Sequence, residues 1–431
     1  MKNIKLGGVG LDSCESAIKT GYTVSDVHNG LISLTKNGEK IDPDDISAYI
    51  AGYSSDSSLY LARILKSLKI PQISYASTSI ALSDQDRYPY FMRSVPADDN
   101  LAESLVSFLD HFDIRYVQVL YSPNNYGRLG SMAFQNLAKD KKICIGQMIQ
   151  FPDNGTATAE SSNEVVSGML KKPTANTIIM FANTQYINAL FQAIRRNPSA
   201  IGKYHFLGSE TWGNNLNVIS GVEDLAKDAV TWSLESTDIG DFDTYLSTKS
   251  PGNYPQNPWF PQFYEDMVNC YLTVPDGIHP VQCASLSEVV ISQRNYIQDP
   301  GILHVINSVY AAAIGIDSAL KSVCGQNYST VCEKFRNDAN RRDILMSNIL
   351  EAKFSDPTGS DFKFTDKRDG NKGYQMFSIS TRMEGAKLAY YYKKVSQYIP
   401  CMSPFLIVED TLDAWLLKQH KVEIFYSDYL K

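Results

Sequence analysis

The sequence has almost none of the patterns that mark an enzyme or a metal protein. Its six histidines are scattered, and it contains no CxxC, HExxH, GxSxG or GxxxxGK[ST] pattern. The glycine-rich residues 7–10 (GGVG) lack the third glycine of a dinucleotide-binding loop. Because no nucleophile, general base, phosphate loop or set of metal ligands can be recognised, we expect no enzymatic activity, no cofactor and no metal ion.

Clusters of one charge and long apolar runs are also missing. The chain has 40 basic and 47 acidic residues, and no Lys or Arg cluster suggests a nucleic acid or an anionic membrane as partner. Residues 302–323 are strongly apolar, but polar and charged residues interrupt them, which predicts an amphipathic core helix. The first residues lack the apolar core of a signal peptide. As written, the chain is therefore expected to be soluble, with no membrane segment.

The seven cysteines favour an oxidising compartment. Two pairs lie close together in polar, turn-rich sequence, as in short-loop disulfides: Cys270 with Cys283, and Cys324 with Cys332. Glycosylation sequons begin at Asn154 and Asn327. These features favour an extracellular or cell-surface location and oppose the missing signal peptide, so the sequence leaves open whether the protein is secreted or retained.

The order of apolar runs predicts an α/β fold. Short apolar runs with β propensity alternate with helical patterns, which is typical of mostly parallel sheets flanked by helices. Strands are predicted at 45–53, 71–76, 116–121, 144–149, 177–181 and 204–208. Helices are predicted after the serine cluster at 54–58 and at 100–112, 163–170, 184–195, 259–270 and 302–323, with a β-hairpin across 363–377. Two successive α/β halves suggest two lobes that close on a small ligand.

Several motifs occur in an order that resembles one receptor family. They are IPQISYASTS (70–79), LSD (82–84), VPAD (95–98), NYG (125–127), FAN (181–183), GSETWG (208–213) and NPWF (257–260). This string is similar to the ligand-binding domain of metabotropic glutamate receptors over residues 2–377. The resemblance implies a two-lobed, periplasmic-binding-protein-like Venus-flytrap fold. Lobe 1 would contain residues 1–94 and 234–380, with a long loop at 251–299. Lobe 2 would contain 95–233, and a divergent tail would follow at 381–431.

The resemblance also implies a set of ligand-binding residues for an amino acid, with L-glutamate as the expected ligand. Hydroxyls at a strand-to-helix turn suit a carboxylate, and acidic side chains in a closing cleft suit an ammonium. The implied residues are Ser55 and Thr78 for the α-carboxylate, Asp98 and Glu210 for the ammonium, Tyr126 for stacking on it, Lys367 for the distal carboxylate, and Ala76 as a further ligand-binding residue. Glu210 stands where the family has an aspartate.

Local sequence alone allows less specific roles for the same residues. Ser55 and Thr78 would serve as cap and turn residues, Asp98 as the N-cap of the following helix, and Lys367 as a hairpin charge. Tyr126 would be an ordinary surface tyrosine in a turn. Which roles hold depends on whether these residues converge.

The chain departs from the family at both ends. The resemblance implies a first strand, a helix and a basic pair upstream of residues 4–14 that this sequence lacks, so lobe 1 is expected to lack a central strand. Unpaired backbone groups inside a sheet cost about 1–3 kcal/mol each. Cys14 and Cys144 are expected to lack their disulfide partners, and the family's intersubunit cysteine is absent. The chain is therefore interpreted as a truncated receptor relative.

Three functional hypotheses follow. The first is reversible binding of L-glutamate or a similar amino acid. The second is a decoy or dominant-negative partner that binds no ligand and pairs with itself or with receptor relatives through lobe 1, using the helix at 57–68. The third, an enzyme, has no motif in its favour.

Overall fold

The computed structural model describes residues 5–14, 16–36, 39–153, 157–275, 277–283, 296, 298–384, 387–398 and 406–407. The strands are β1 (Thr35–Lys36), β2 (Glu39–Lys40), β3 (Tyr49–Ile50), β4 (Gln72–Ser74), β5 (Phe91–Arg93), β6 (Tyr116–Tyr121), β7 (Cys144–Gln150), β8 (Thr177–Phe181), β9 (His205–Gly208), β10 (Val230–Leu234), β11 (Lys353–Ser355), β12 (Asp361–Lys363), β13 (Tyr374–Glu384), β14 (Lys387–Tyr398) and β15 (Leu406–Ile407). The helices are α1 (Ala17–His28), α2 (Ser55–Leu68), α3 (Asp98–His111), α4 (Asn125–Asp140), α5 (Asn163–Met169), α6 (Thr184–Arg195), α7 (Glu223–Ala226), α8 (Gly240–Ser247), α9 (Phe260–Val268), α10 (Gly301–Cys324), α11 (Glu333–Arg336) and α12 (Arg341–Leu350).

The larger sheet is built around parallel strands that are buried on both faces. Its order is β15-β14-β13-β10-β9-β8-β6-β7, with parallel pairing from β10 to β7 and antiparallel pairing from β10 to β15. All five residues of β8 are buried, and successive side chains enter two different cores. Ile178 and Met180 pack with α5 and α6, whereas Ile179 and Phe181 pack with α3 and α4. Such an apolar run, without alternation, is typical of a parallel strand covered by helices on both faces.

The smaller sheet has the same layered construction. Its strands β3, β4 and β5 are parallel. Ile73 and Met92 pack against Ala311 and Ala312 of α10 in one core, and α2 forms further cores nearby. Among the described helices, α10 is the one long and apolar enough to cross a membrane by length and composition. Two of its alanines, Ala311 and Ala312, pack against the smaller sheet.

One edge of the smaller sheet is open. Within the described residues, β3 pairs with β4 alone. A cavity of about 680 Å³ lies beside it, lined by apolar side chains such as Leu6, Leu34, Ile50 and Ile316. Leu6 and Val9 on its far wall are 46% and 48% exposed. The edge strand β3 and the half-exposed Leu6 and Val9 side chains therefore border one cavity.

The chain divides into two compact units by its internal contacts. The first contains residues 1–235, 304–354 and 361–431, and it includes both sheets described above. The second contains residues 236–303 and 355–360. Its core joins α8 and α9 through Leu246, Phe260 and Tyr264, and the Cys270–Cys283 disulfide lies in the same unit.

The fold class agrees with the sequence prediction, since parallel-dominated sheets are flanked by helices. The strand predicted at 45–53 is wrong in length. Pro43–Asp45 forms a 3₁₀ turn in which Asp42 accepts a hydrogen bond from the Asp44 N–H, which leaves Tyr49–Ile50 as strand. The hairpin predicted across 363–377 forms only in its first part, where Phe364 and Gly370 make an antiparallel bridge, whereas β13 pairs with β14 and β10. Residues 387–398, which match no family feature that we could place, therefore belong to the larger sheet. The lobe boundaries stay a prediction.

The cysteine pairs form the expected disulfides. Cys270 is bonded to Cys283 and Cys324 to Cys332. Cys14 and Cys144 are exposed and free of disulfides. Asn327 is exposed, as a glycosylation site must be, while the sequon at Asn154 lies outside the described residues.

Candidate functional site

The first turn of α2 forms one wall of the candidate site. Ser54 is the N-cap, and its hydroxyl accepts a hydrogen bond from the Ser57 N–H at 3.2 Å. Ser55 follows as the first helical residue, nearly buried, and its Oγ accepts a bond from the Ser79 N–H at 3.2 Å. The polar cluster thus caps the helix as predicted and also binds the loop after β4.

The loop at 75–79 is held in place by buried polar groups. The Ser77 hydroxyl donates to the Gly52 carbonyl at 3.0 Å and lies 2.8 Å from the Ser58 hydroxyl. Thr78 is 2% exposed in this loop. Ala76 is half-buried beside it, with its N–H 3.4 Å from the Ser74 hydroxyl. The predicted carboxylate-side residues Ser55, Ala76 and Thr78 therefore lie on adjoining segments.

A fully buried arginine, which the sequence analysis missed, positions this loop. The guanidinium of Arg93 donates to the carbonyls of Ser77 at 3.2 Å and Ser79 at 2.9 Å. It also bonds Asp369 at 2.5 Å and the Ser83 hydroxyl at 2.6 Å. With its donors occupied inside the protein, Arg93 supports the loop and does not present its charge outward. No local pattern distinguishes such an arginine from a surface one.

Side chains that follow strands of the larger sheet form the opposite wall. Tyr126 lies in the first turn of α4, and its hydroxyl donates to Glu210 at 3.1 Å and lies 2.7 Å from the Ser209 hydroxyl. The Thr78 hydroxyl donates to Glu210 at 3.5 Å. Because Thr78 follows β4 and Glu210 follows β9, two sheets contribute to one site, at the carboxyl ends of their strands where ligands bind in open α/β folds.

Asp98 is the least satisfied polar group of the site. It is fully buried, and neither carboxylate oxygen has a hydrogen-bond partner that meets normal geometry within the described chain. The N-cap role allowed by local sequence is wrong, because Ala97 is the N-cap of α3 and Asp98 is the first helical residue. The Asp98 backbone N–H donates to the Thr78 carbonyl at 2.8 Å, which keeps the two residues together.

The acidic groups of the site influence one another strongly. Burial, followed by the charge of Glu210, raises the pKa of Asp98 well above its usual range. Burial raises the pKa of Glu210 to about 7, although hydrogen bonds from Tyr126 and Thr78 oppose the shift. Burial and then the charges of Glu210 and Asp98 also raise the pKa values of Tyr126 and Tyr374. A site of this kind stabilises a cation, because a positive charge restores the ionised carboxylates.

Lys367 lies at the edge of this group. Its ammonium donates to the Asp99 carboxylate at 2.8 Å, and its side chain is 64% exposed. Asp99, like Arg93 and Tyr374, was missed by the sequence analysis, although the Asp98–Asp99 doublet was a visible signal. Thr78, Asp98, Tyr126 and Glu210 are thus brought together with Ser55 nearby, and Lys367 is paired with an acid that was not foreseen.

Comparison with known proteins identifies the family to which the chain belongs. The family described as "Receptor family ligand binding region" matches residues 1–381. Metabotropic glutamate receptor 6 of Oryctolagus cuniculus is 30% identical over 359 residues, which make up 83% of this chain. The chain spans only 41% of that receptor's length. The chain belongs to the family of receptor ligand-binding regions, and it is a domain similar to the ligand-binding domain of metabotropic glutamate receptors.

Proposed function

We propose that the domain reversibly binds a free L-α-amino acid at the site formed by Ser55, Thr78, Asp98, Tyr126 and Glu210. The observation that carries this proposal is the Asp98 carboxylate, which is fully buried and unpaired within the described chain next to Glu210. Burial disfavours the ionised form of Asp98, and a bound ammonium would restore that form through charge-assisted hydrogen bonds. The role of each residue is our proposal.

The other end of the ligand would lie at α2. The first N–H groups of a helix have no partner within the helix, and the helix dipole favours negative charge there. Ser55 and Thr78 add hydroxyl donors beside this helix terminus, since both lie at its first turn or in the loop bonded to it. An α-carboxylate at α2 and an ammonium at Asp98 and Glu210 would match the two ends of an amino-acid backbone.

We expect binding to be coupled to the approach of the two walls. Thr78 already touches Glu210, and the side chain of Asn125 donates to Asp56 at the start of α2. A ligand favours the closed arrangement only through its greater affinity for that state. Contacts from one ammonium to Asp98 and Glu210 would supply this difference. In a receptor-like protein such closure would be the signal, and an extracellular location would fit the two disulfides.

L-Glutamate is the first ligand to test, because the similar protein is named as a glutamate receptor. Its distal carboxylate would need a cation, for which Lys367 is the proposed residue. The competing hypothesis is a decoy that binds no ligand and acts through protein contacts. It predicts that none of the amino acids binds.

The test is thermal unfolding and isothermal titration of the purified protein with each common L-amino acid. A ligand at 100 times its Kd stabilises the folded state by about 2.7 kcal/mol, which is measurable as a rise in Tm. Glu210→Gln removes the charge with little change of shape and should abolish the rise. Glu160→Gln is the matched control, since Glu160 is 69% exposed and paired with Arg196. Absence of any amino-acid-dependent shift in the wild type would refute the proposal and favour the decoy.

A further inference from the structure

A second cavity lies at the end of α2 that is far from the candidate site. It has a volume of about 420 Å³ and is lined by residues at the ends of α1 and α2, by Asp44, and by residues 336–339 and 341–342 around the start of α12. Ser55 begins α2 and Lys69 follows its last residue, so the length of this 14-residue helix, about 20 Å, separates the cavity from the candidate site. The lysine and arginine side chains of the lining are Lys69, Arg336, Arg341 and Arg342.

Two of these arginines converge on one carbonyl oxygen. The Nη2 atoms of Arg341 and Arg342 donate to the Asp44 carbonyl at 3.3 Å and 3.0 Å. Their Nη1 atoms donate to the carbonyls of Arg336 and Ile46, respectively. A guanidinium has five N–H donors, so each group keeps further donors after these bonds. Two positive groups are therefore held side by side by neutral acceptors.

Carboxylates give this arginine pair little compensation. The Asp44 carboxylate lies 3.8 Å from Arg341 and 4.0 Å from Arg342, beyond hydrogen-bonding distance, and its side chain is 79% exposed. Such an exposed ion pair is weak. Burial, followed by the charge of Arg341, lowers the pKa of Arg342, and burial, followed by the charge of Arg342, lowers the pKa of His28 in the same lining. Both shifts occur although Asp44 opposes them, which agrees with an excess of positive charge here.

The remaining charged groups of the lining are placed around this pair. In the described chain, the Arg336 guanidinium has no hydrogen bond or ion pair. Lys69 lies 3.8 Å from Asp343, and both side chains are about half exposed. The second acid of the lining, Asp338, accepts a hydrogen bond from the Asn340 N–H at 2.8 Å. An anion that enters the cavity would therefore meet the unpaired Arg336 and the paired arginines together.

We propose that this cavity binds a phosphate or sulfate group carried by a small ligand. A tetrahedral oxyanion accepts bonds from more than one guanidinium at once, and such charge-assisted, bidentate pairs are stronger than bonds between neutral groups. Arg341 and Arg342 are already fixed by carbonyls, so they lose little freedom when they bind it. The volume of about 420 Å³ is typical of small-molecule sites and leaves room for an organic group beside the anion. The site does not depend on the proposed amino-acid binding.

The experiment titrates the purified protein with inorganic phosphate, inorganic sulfate and glycerol 3-phosphate by calorimetry at pH 7.5, with NaCl keeping the ionic strength constant. We expect saturable binding at one site per chain. Arg336→Gln should weaken binding about tenfold, because it removes a positive charge and no described side-chain contact. Arg63→Gln is the matched control, since Arg63 is an exposed arginine of α2 outside the lining, and it should leave the Kd unchanged.

The three anions also distinguish the source of the group. Tighter binding of glycerol 3-phosphate indicates an organic ester as the ligand, and tighter binding of inorganic phosphate or sulfate indicates the free ion; either result supports the site. No saturable binding of any of the three anions, or equal affinities in the wild type and Arg336→Gln, would overturn the proposal. Glu210→Gln should bind the anion as the wild type does, and loss of binding in that variant would place the anion at the amino-acid site instead. A failure at this cavity thus leaves the proposed function to its own test.

Discussion

At the scale of single residues, the behaviour of the site depends on Glu210 and Asp98. Burial raises the pKa of both carboxyl groups, and the charge of Glu210 raises that of Asp98 further. The titratable groups around Glu210 include Asp98, Tyr126 and Tyr374. Ligand binding and proton release at the site should therefore be linked.

The affinity for an amino acid should depend on pH near neutrality. The pKa of Glu210 is about 7, and a bound ammonium favours the ionised form, so binding below pH 7 must displace a proton. The proton on Glu210 alone makes the affinity fall about tenfold per pH unit below 7, and the raised pKa of Asp98 adds to this dependence. Titration at pH 5.5, 6.5 and 7.5 measures this slope. A Kd that is constant over that range would contradict it.

The raised pKa of Glu210 also makes the stability of the free protein depend on pH, and this stability falls as pH rises. Because the folded pKa of Glu210 is raised from 4.5, its contribution to stability is fully present below pH 4.5 and is lost as pH rises through 7. The ligand should therefore stabilise the protein most at pH 7 and above. Unfolding curves with and without ligand at pH 5 and pH 7.5 test both effects together.

Arg93 should be essential for stability. Replacing it with Met would leave the buried Asp369 carboxylate without its partner and release the carbonyls of Ser77 and Ser79. Breaking a buried ion pair costs about 3–5 kcal/mol. Denaturant unfolding of Arg93→Met should show a loss of this size, whereas Arg382→Met, in an exposed pair with Glu384, should change stability by less than about 1 kcal/mol. Similar losses in both variants would argue against this role for Arg93.

At the scale of elements, α2 serves both the core and the site. One face packs Leu61 and Leu65 into the smaller sheet's core, and its first turn carries Ser55. The position of that turn depends on the Ser54 cap and on the bond between Ser55 and Ser79. A local change at the start of α2 should therefore affect both stability and binding.

The N-cap of α2 provides a prediction at this scale. Ser54→Ala should lower the free energy of unfolding by about 1 kcal/mol and also weaken amino-acid binding, because the helix terminus loses its fixed geometry. Ser16→Ala is the matched control, since Ser16 caps α1 by accepting a bond from the Lys19 N–H. It should cost similar stability and leave the Kd unchanged. An equal loss of affinity in both variants would show that the effect comes from global stability alone.

At the scale of the whole molecule, the edge of β3 that has no partner strand among the described residues borders a cavity of about 680 Å³. Leu6 and Val9 line this cavity and are about half exposed. Burial of apolar surface is the main favourable term in folding, so this region contributes less than the other cores. The cavity borders one wall of the candidate site, because Ser54, Ser57 and Tyr75 line it together with residues 5–13.

An environment-sensitive apolar dye should bind the folded protein at this cavity. Val9→Asp and Leu6→Ser should reduce the dye fluorescence, because both side chains form its exposed wall. Leu388→Ser is the control, an exposed leucine of β14 outside the cavity lining. Fluorescence that is insensitive to Val9→Asp and Leu6→Ser would place the dye elsewhere.

Elements that depend on local pattern could be predicted from the order of residues. The predicted bounds of β6, β8 and α6 agree with the structure, because continuous apolar runs mark buried strands and period-3.6 burial marks a helix. The capping role of the serines at the start of α2 could be predicted because they directly precede an apolar helical pattern. Likewise, the fold class and the pairing of the four disulfide cysteines were accessible, since ordered motifs and short spacings are properties of the chain itself.

Only the tertiary structure decided what depends on residues far apart in the chain. Lys367 and Asp99 are 268 positions apart, and no local pattern could pair them. The unsatisfied burial of Asp98 and the long β13–β14 pairing likewise arise only when distant segments pack. The residue types of the site can be read from the sequence, but its charge balance depends on which charges the fold brings within reach, because electrostatic energy depends on distance and burial.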